Sequence, residues 1–373
     1  MKVILVGDYP KDDKIQTGVQ GVLVSLTDEL LRHDEIDLII VSLSEGTFLE
    51  KYHGKCTIRK VNLRSSILKA RREFRSIVLD EDPDIIHLQG VVPGCLLYSR
   101  KFKDMFVVTQ HAILRKERLW QVSLFRKIKF FIKGIVERYY LSKIQNIIFI
   151  SDYNKELYKR GLNTHISVYH ATIPNPVNRL FETGEQNTKS PWNSELYFVG
   201  ELKKRKGLHV LIQALAQLKE GNYNFKLHVI GGFKEMAYKK YINALIEEKE
   251  LAAEIHFCGW KDTSEIITYT KEIPIFVLPS FQETLPLSVA EAMTLGKLVI
   301  ASDVGGTDEM IKDGRSGYLF KPGDFEGLTE ILSVVFNNME AQKVLMSAAK
   351  KESSKYSIET IVEQTLNFYR TII

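Results

Sequence analysis

Cysteine is scarce in this chain: three residues in 373, Cys56, Cys95 and Cys258, far apart and without C-x-x-C spacing. That argues against a disulfide framework or a cysteine zinc site and fits a reducing, cytoplasmic location. Long hydrophobic runs are missing too. No stretch approaches the ~20 uninterrupted apolar residues of a spanning helix. The apolar run in MKVILVGDYPKDD is too short for a secretion signal and stops at Asp8. There is no low-complexity tract, no repeat of solenoid length and no His/Cys/carboxylate cluster, so no metal is expected. What is present is a soluble, globular composition, 45% apolar and 26% charged. The length exceeds the roughly 250–300 residues of one core, so two domains are expected.

The net charge of +5 conceals an asymmetry: residues 1–180 carry 29 Lys/Arg against 20 Asp/Glu, +9, and residues 181–373 carry 22 against 26, −4. The halves therefore face different partners. Apolar runs of strand length alternate with segments of helical period. KVILVGDY, DLIIVSL, TIRKV, DIIHLQG, MFVVTQH, NIIFISD and VYHATIP occupy the first half. ELYFVGEL, FKLHVIGG, EIHFCGW, IPIFVLPS and KLVIASDVGG occupy the second. Continuous apolar strands separated by helices predict parallel sheets covered on both faces. The pattern pauses at NRLFETGEQNTKSPWNS (178–194), read as a linker. The fold class is thus α/β, two doubly wound Rossmann-like domains facing a central cleft, with ligands at the carboxyl ends of the strands. The expected layout is 1–178, linker 179–194, 195–355, and a terminal amphipathic helix over 356–373.

PSFQETLPLSVAEAM (279–293) places Glu283 and Glu291 eight positions apart where a strand gives way to a helix, with Pro286 suited to its first turn. Amides around Thr284, Leu285 and Leu287 would be left for phosphate or sugar oxygens. As a glycosidase pair the glutamates are badly spaced. Eight helical residues rise about 12 Å, against roughly 5–5.5 Å or 6.5–9.5 Å between hydrolytic carboxylates. They suit two hydroxyl-binding roles along an extended ligand, or else an ordinary helix-surface acid and a first-turn acid favoured by the dipole. In VGELKKRKG (199–207) four cations between a strand and a helix start form a diphosphate site, although a solvated basic loop or a nuclear-localisation run reads the same way. TGVQG (17–21) offers Gly18 and Gly21 for close backbone approach. His111, and less so His87, stand at strand carboxyl ends, where a structural role is the commoner one. Asp82-Pro83-Asp84 mimics a metal-binding Asp-x-Asp, but it precedes its strand and reads as a turn.

Taken together, these residues resemble glycosyltransferase family 4, retaining enzymes of the GT-B fold, over nearly the whole chain. The most specific element is the E-x7-E of Glu283 and Glu291 within PSFQETLPLSVAEAMTLGKLVIASDVGGTDEMI. IPNPV (173–177) and YSIETIVEQTLNFY, like a helix that crosses back to the first domain, add to it. The resemblance implies that Glu283 contacts donor-sugar hydroxyls and Glu291 the ribose. Lys206 would bind the diphosphate, Gly18 would meet the phosphates, and His111 would lie near the reacting sugar as the catalytic histidine. Thr284, Leu285 and Leu287 would hold sugar and phosphate, and Trp260 and Lys261 would border the base. It implies front-face substitution with no metal and no cofactor beyond the nucleotide-sugar co-substrate, a UDP-sugar before a GDP-sugar. One departure stands out. Where the family usually places an arginine after the strand's Phe-Val, this chain has Glu201, so Arg205 or Lys204 would have to serve instead.

RKERLWQVSLFRKIKFFIKGIVERYYLSK (115–143) carries nine Lys/Arg and two Glu with apolar residues at helical spacing, and RSSILKARREFR (64–75) is a second basic stretch. A helix packed on its sheet with a solvated edge or a peripheral contact with an anionic membrane both fit. No nucleic-acid fold signature accompanies the charge. The expected function is transfer of a sugar from a nucleotide sugar to a glycan or lipid-linked acceptor, in surface polysaccharide or glycolipid synthesis. The alternatives are an inactive sugar-nucleotide-binding or scaffold subunit and a nucleotide-sugar epimerase of the same fold.

Overall fold

The computed structural model describes residues 1–10, 15, 17–43, 49–52, 56–63, 66–121, 123–161, 169–184 and 194–373. The chain forms two compact units, Met1–Pro176 with Ile358–Ile373, and Val177–Ser357.

The first unit's strands are β1 (Lys2–Gly7), β2 (Asp37–Ser42), β3 (Leu49–Tyr52), β4 (Cys56–Lys60), β5 (Ile85–Gln89), β6 (Phe106–Gln110), β7 (Asn146–Phe149) and β8 (Tyr169–Thr172). They pair in the order β3-β4-β2-β1-β5-β6-β7-β8, parallel except for antiparallel β3 and β4. β5 and β6 are buried at every position, as strands covered on both faces must be. Its helices are α1 (Gly18–Leu30), α2 (Ile67–Glu81), α3 (Leu114–Glu117), α4 (Leu124–Leu141) and α5 (Asp152–Gly161). Local chemistry sets their ends. Thr17 Oγ1 accepts the Gln20 amide to start α1, and Ser66 Oγ the Lys69 amide to start α2. Asp82, left-handed at φ 45°, ends α2, and Asp84 accepts the Lys2 amide at 2.7 Å, so Asp82-Pro83-Asp84 is a turn. Residues 64–65 of the second basic stretch lie outside the described residues.

The second unit holds α6 (Arg179–Thr183), β9 (Glu195–Val199), α7 (Leu208–Glu220), β10 (Lys226–Ile230), α8 (Met236–Glu248), β11 (Ile255–Gly259), α9 (Thr263–Thr270), β12 (Ile275–Leu278), α10 (Leu287–Thr294), β13 (Leu298–Ser302), α11 (Thr307–Met310), β14 (Tyr318–Phe320), α12 (Phe325–Asn337) and α13 (Gln342–Glu352). Its sheet is wholly parallel, β11-β10-β9-β12-β13-β14. In the segment read as a linker, residues 179–183 are helical, because Asn178 caps Leu180 and Phe181 is buried. Residues 185–193 lie outside the described residues. The chain passes between units at Pro176 and Ser357 rather than at 178 and 356. Just inside the second unit the Val177 amide donates to the Tyr356 carbonyl at 2.8 Å, tying the outgoing and returning chain together. The final helix, α14 (Ile358–Ile372), belongs to the first unit.

Candidate active site

In the second unit, the loops after β9 and β12 interlock. Gly207 adopts φ +71°, and a Cβ there would sit 1.8 Å from the Pro279 carbonyl oxygen. Only glycine permits that approach, which lets the Phe281 amide donate to the Arg205 carbonyl at 2.8 Å. The result is a buried charged cluster. Lys206 Nζ and Ser280 Oγ each donate to Glu283 Oε1 at 2.7 Å. Arg205 lies 3.6 Å from Glu283 Oε2 and donates to the Gln282 carbonyl. Burial works against the Glu283 charge, but Lys206 and Arg205 overcome it and hold the carboxyl below its usual range. Burial lowers Lys206, opposed by Glu283. Lys206 and Glu283 form an ion pair at 2.7 Å, and with Arg205 the three side chains carry a formal net charge of +1.

Glu283 thus holds Lys206 in place, with both of its oxygens near cations. The loop before α11 backs it: a Cβ at Gly305, φ +67°, would lie 2.0 Å from the Glu283 carbonyl oxygen. The Thr284 carbonyl accepts the Gly306 amide at 3.0 Å. Pro286 is not in the first turn of α10 but caps it in an extended conformation, ψ 111°. The amides of Leu285 and Leu287 have no hydrogen-bond partner among the described residues, which leaves donors beside the cationic cluster. One turn into α10, Glu291 is part-buried beside Tyr197 of β9. Burial pushes its carboxyl up to about 7. It too has no hydrogen-bond or ion-pair partner among the described residues.

Glu201 forms ion pairs with Lys203 and, at 2.5 Å, with Lys234. Burial raises its carboxyl, and the two lysines more than reverse that. Its charge is spent on them, leaving Arg205 and Lys206 unopposed by it. Lys234 was not foreseen, because it lies beyond the next strand. Trp260, half exposed, and Lys261 follow β11. Lys261 Nζ sits 4.9 Å from the Tyr269 ring centroid, beside a hollow of about 300 Å³ lined by Lys261, Ser264, Glu265, Thr268 and Tyr269.

In the first unit, Gly18 opens α1 with free space where a Cβ would be. His111 follows β6 and is buried. Its Nδ1 lies 2.9 Å from Asn175 Oδ1 and its Nε2 2.9 Å from Gln89 Oε1. Burial drives its pKa down to about 4, so it is neutral and has one N–H to give. Gln89 Nε2 faces the His87 ring at 3.2 Å, which leaves its oxygen to accept from His111 Nε2. Asn175 must then turn its amide to donate to Nδ1. His87 is held by the Tyr369 hydroxyl of α14 at 2.5 Å and by Thr109 Oγ1 at 2.7 Å, and burial takes it to about 3. Gln89 and Asn175 were missed. The available signals were a polar residue two after His87 on the same strand face, and an asparagine set between prolines in IPNPV. Glu137 of α4, raised by burial to about 7, accepts from the Leu114 amide and the Gln110 side chain, bracing the loop that carries His111. Among the described residues no group of three or more His, Cys, Asp or Glu is placed to bind a metal.

Residues 17–179 match the model for "Glycosyltransferase Family 4" and residues 182–352 the model for "Glycosyl transferases group 1". The chain belongs to glycosyltransferase family 4. The family's two models together span both structural units. An uncharacterised glycosyltransferase of Methanocaldococcus jannaschii is 28% identical over 328 residues, 86% of this chain and 84% of the relative. The capsular polysaccharide biosynthesis glycosyltransferase CapM of Staphylococcus aureus is 23% identical over 366 residues, 92% of each. Anabaena HepE, solved in complex with UDP, superposes with a TM-score of 0.76 at 18% identity, covering all of both chains. The fold is GT-B, and this family-4 chain is a glycosyltransferase.

Proposed function

We propose that the chain transfers a sugar, with retention and without a metal, from a nucleotide-sugar donor to a glycan or lipid-linked acceptor in surface polysaccharide or glycolipid synthesis. The observation that carries this reading is the buried Arg205–Lys206–Glu283 cluster, net positive, beside the open amides of Leu285 and Leu287. A departing diphosphate would gain charge there as the bond from the sugar's anomeric carbon to phosphate breaks. The acceptor oxygen bonds to that carbon on the same face, and its proton passes to the leaving phosphate oxygen. Glu291, without a partner, is left to accept hydrogen bonds from the ribose. Neutral His111, its two ring nitrogens held by Gln89 and Asn175, would border the sugar without adding charge. The UDP seen with HepE and the polysaccharide role named for CapM support a UDP-sugar and a surface glycan. The binding-only alternative was motivated by Glu201, whose charge Lys203 and Lys234 neutralise.

Calorimetry with UDP and GDP, combined with sugar-transfer assays, tests the reading. Glu291→Ala is expected to weaken nucleotide binding by about tenfold, as loss of hydrogen bonds to a charged group does. Unchanged binding and turnover would show that the site is misassigned. Nucleotide binding with no turnover on any acceptor would favour a scaffold, and turnover without an acceptor an epimerase.

A further inference from the structure

α4 is built inside out for a soluble domain. Of its 18 residues only Glu137 and Leu141 are buried. Val136 and Tyr140 of its last turns pack on the first unit's core. The earlier turns project large apolar side chains into solvent. Leu124 and Phe125 are 73% and 75% exposed, and Ile128, Phe131, Ile132 and Ile135 all exceed half. At about 100° per residue these six, with Tyr139, fall within an arc of roughly 120°. Glu137 and Leu141 lie on the opposite side, so the apolar face points away from the domain. Lys127 and Arg138 run along one margin of the arc and Lys129 along the other.

We infer that this face of α4 docks the protein in the plane of an anionic lipid bilayer. A helix with an outward apolar arc and cations on both margins sinks its apolar side to the acyl boundary and leaves its cations at the headgroups. No helix among the described residues is long and apolar enough to cross a membrane, so α4 lies on the surface. A second copy is the poorer occupant. Pairing two such faces would bring together two stretches with nine Lys/Arg against two Glu, and like charges repel across an interface. The acids of residues 115–143 are Glu117 of α3 and Glu137, which is buried beneath α4. The inference does not depend on the sugar-transfer reading, because lipid binding is measured without substrate.

The full chain is sedimented with vesicles of phosphatidylcholine alone or mixed with phosphatidylglycerol. Binding to the mixed vesicles is expected, with little to phosphatidylcholine alone. The triple change K127Q/K129Q/R138Q should weaken it by about a hundredfold, at about 1 kcal/mol for each basic residue near the surface. Phe125→Ser with Ile128→Ser should weaken it at least as much. Because these side chains are exposed, both variants should keep the wild-type circular dichroism. Equal binding to both vesicle types, no binding to either, or binding indifferent to the substitutions overturns the proposal. So does self-association, seen by analytical centrifugation, that the Phe125/Ile128 variant abolishes while vesicles bind neither protein.

Discussion

The two units bury polar groups at the carboxyl edges of their sheets by opposite means. In the first, His87 and His111 are kept neutral and satisfied by uncharged partners: Tyr369, Thr109, Gln89 and Asn175. In the second, Glu283, Lys206 and Arg205 stay charged and compensate one another. The first arrangement offers a hydrogen-bonding surface without a field. The second offers a fixed field with one positive charge to spare, and such a cluster is costly to interrupt, because removing one partner strands another in a dry site.

Lys206→Ala tests that contrast hardest. It leaves Glu283 with Ser280 and a more distant Arg205, so it should cost about 3–5 kcal/mol of stability in the second unit. It should also lower kcat by about 10²–10³, in line with loss of one charge-stabilising donor. Amide hydrogen exchange read over each unit would show the loss confined to residues 177–357. A kcat close to wild type would mean that the cluster is purely structural.

The pH response should separate the buried histidines of the first unit from Glu291 of the second by sign. His111 and His87 sit below the ordinary histidine value of 6.5, at about 4 and about 3. The unfolded chain therefore binds more protons below 6.5, and the first unit loses stability as pH falls from about 6.5 toward 4. Glu291 sits above the ordinary 4.5, at about 7. Here the folded chain holds the extra proton, and the second unit loses this contribution as pH rises from about 4.5 to 7. His111→Gln should flatten the acid slope in the first unit by about 1–3 kcal/mol, and Glu291→Gln the opposite slope in the second by a similar amount. Regional hydrogen exchange at pH 5 and pH 8 compares each variant with the wild type, since Glu137 of the first unit is also raised and Glu283 and His209 of the second are lowered. Changes of one sign in both variants would overturn the contrast between His111 and Glu291.

Much of this was legible because it is periodic. Buried parallel strands read as apolar runs, and ten of the twelve strand segments read in the sequence need only trimming at the ends; TIRKV (57–61) is shifted by one residue to β4, and VYHATIP, whose Val168 lies outside the described residues, yields β8. β3 and β14 escaped, since an edge strand of four residues and one of three, Tyr318–Phe320, carry too little pattern. The site positions were legible as places at strand ends, whereas their bonds were not. Nothing local couples Lys206 to Glu283 across 77 positions, or His87 to Tyr369 across 282. Those contacts exist only once two loops or a returning helix have been brought together. The exposure of α4 was equally hidden, because helical spacing shows that one face is apolar but not which way it turns.

The smallest expected effect belongs to the residue that looked most disruptive. A carboxylate at position 201 would repel diphosphate if it were free, yet Lys203 and Lys234 hold it, and Lys234 is itself 68% exposed. An exposed pair of this kind contributes only about 0–1 kcal/mol. Glu201→Gln releases two cations near the proposed phosphate site at little structural cost. Its nucleotide affinity by calorimetry should rise, by no more than about fivefold, and more at low salt than at high, because released surface charges are screened. A fall in affinity would mean that Glu201 positions the Lys203–Lys206 loop rather than merely being neutralised beside it. A gain of a hundredfold would mean that the carboxylate does oppose the donor, and that the field in the second unit is weaker than its buried cluster implies.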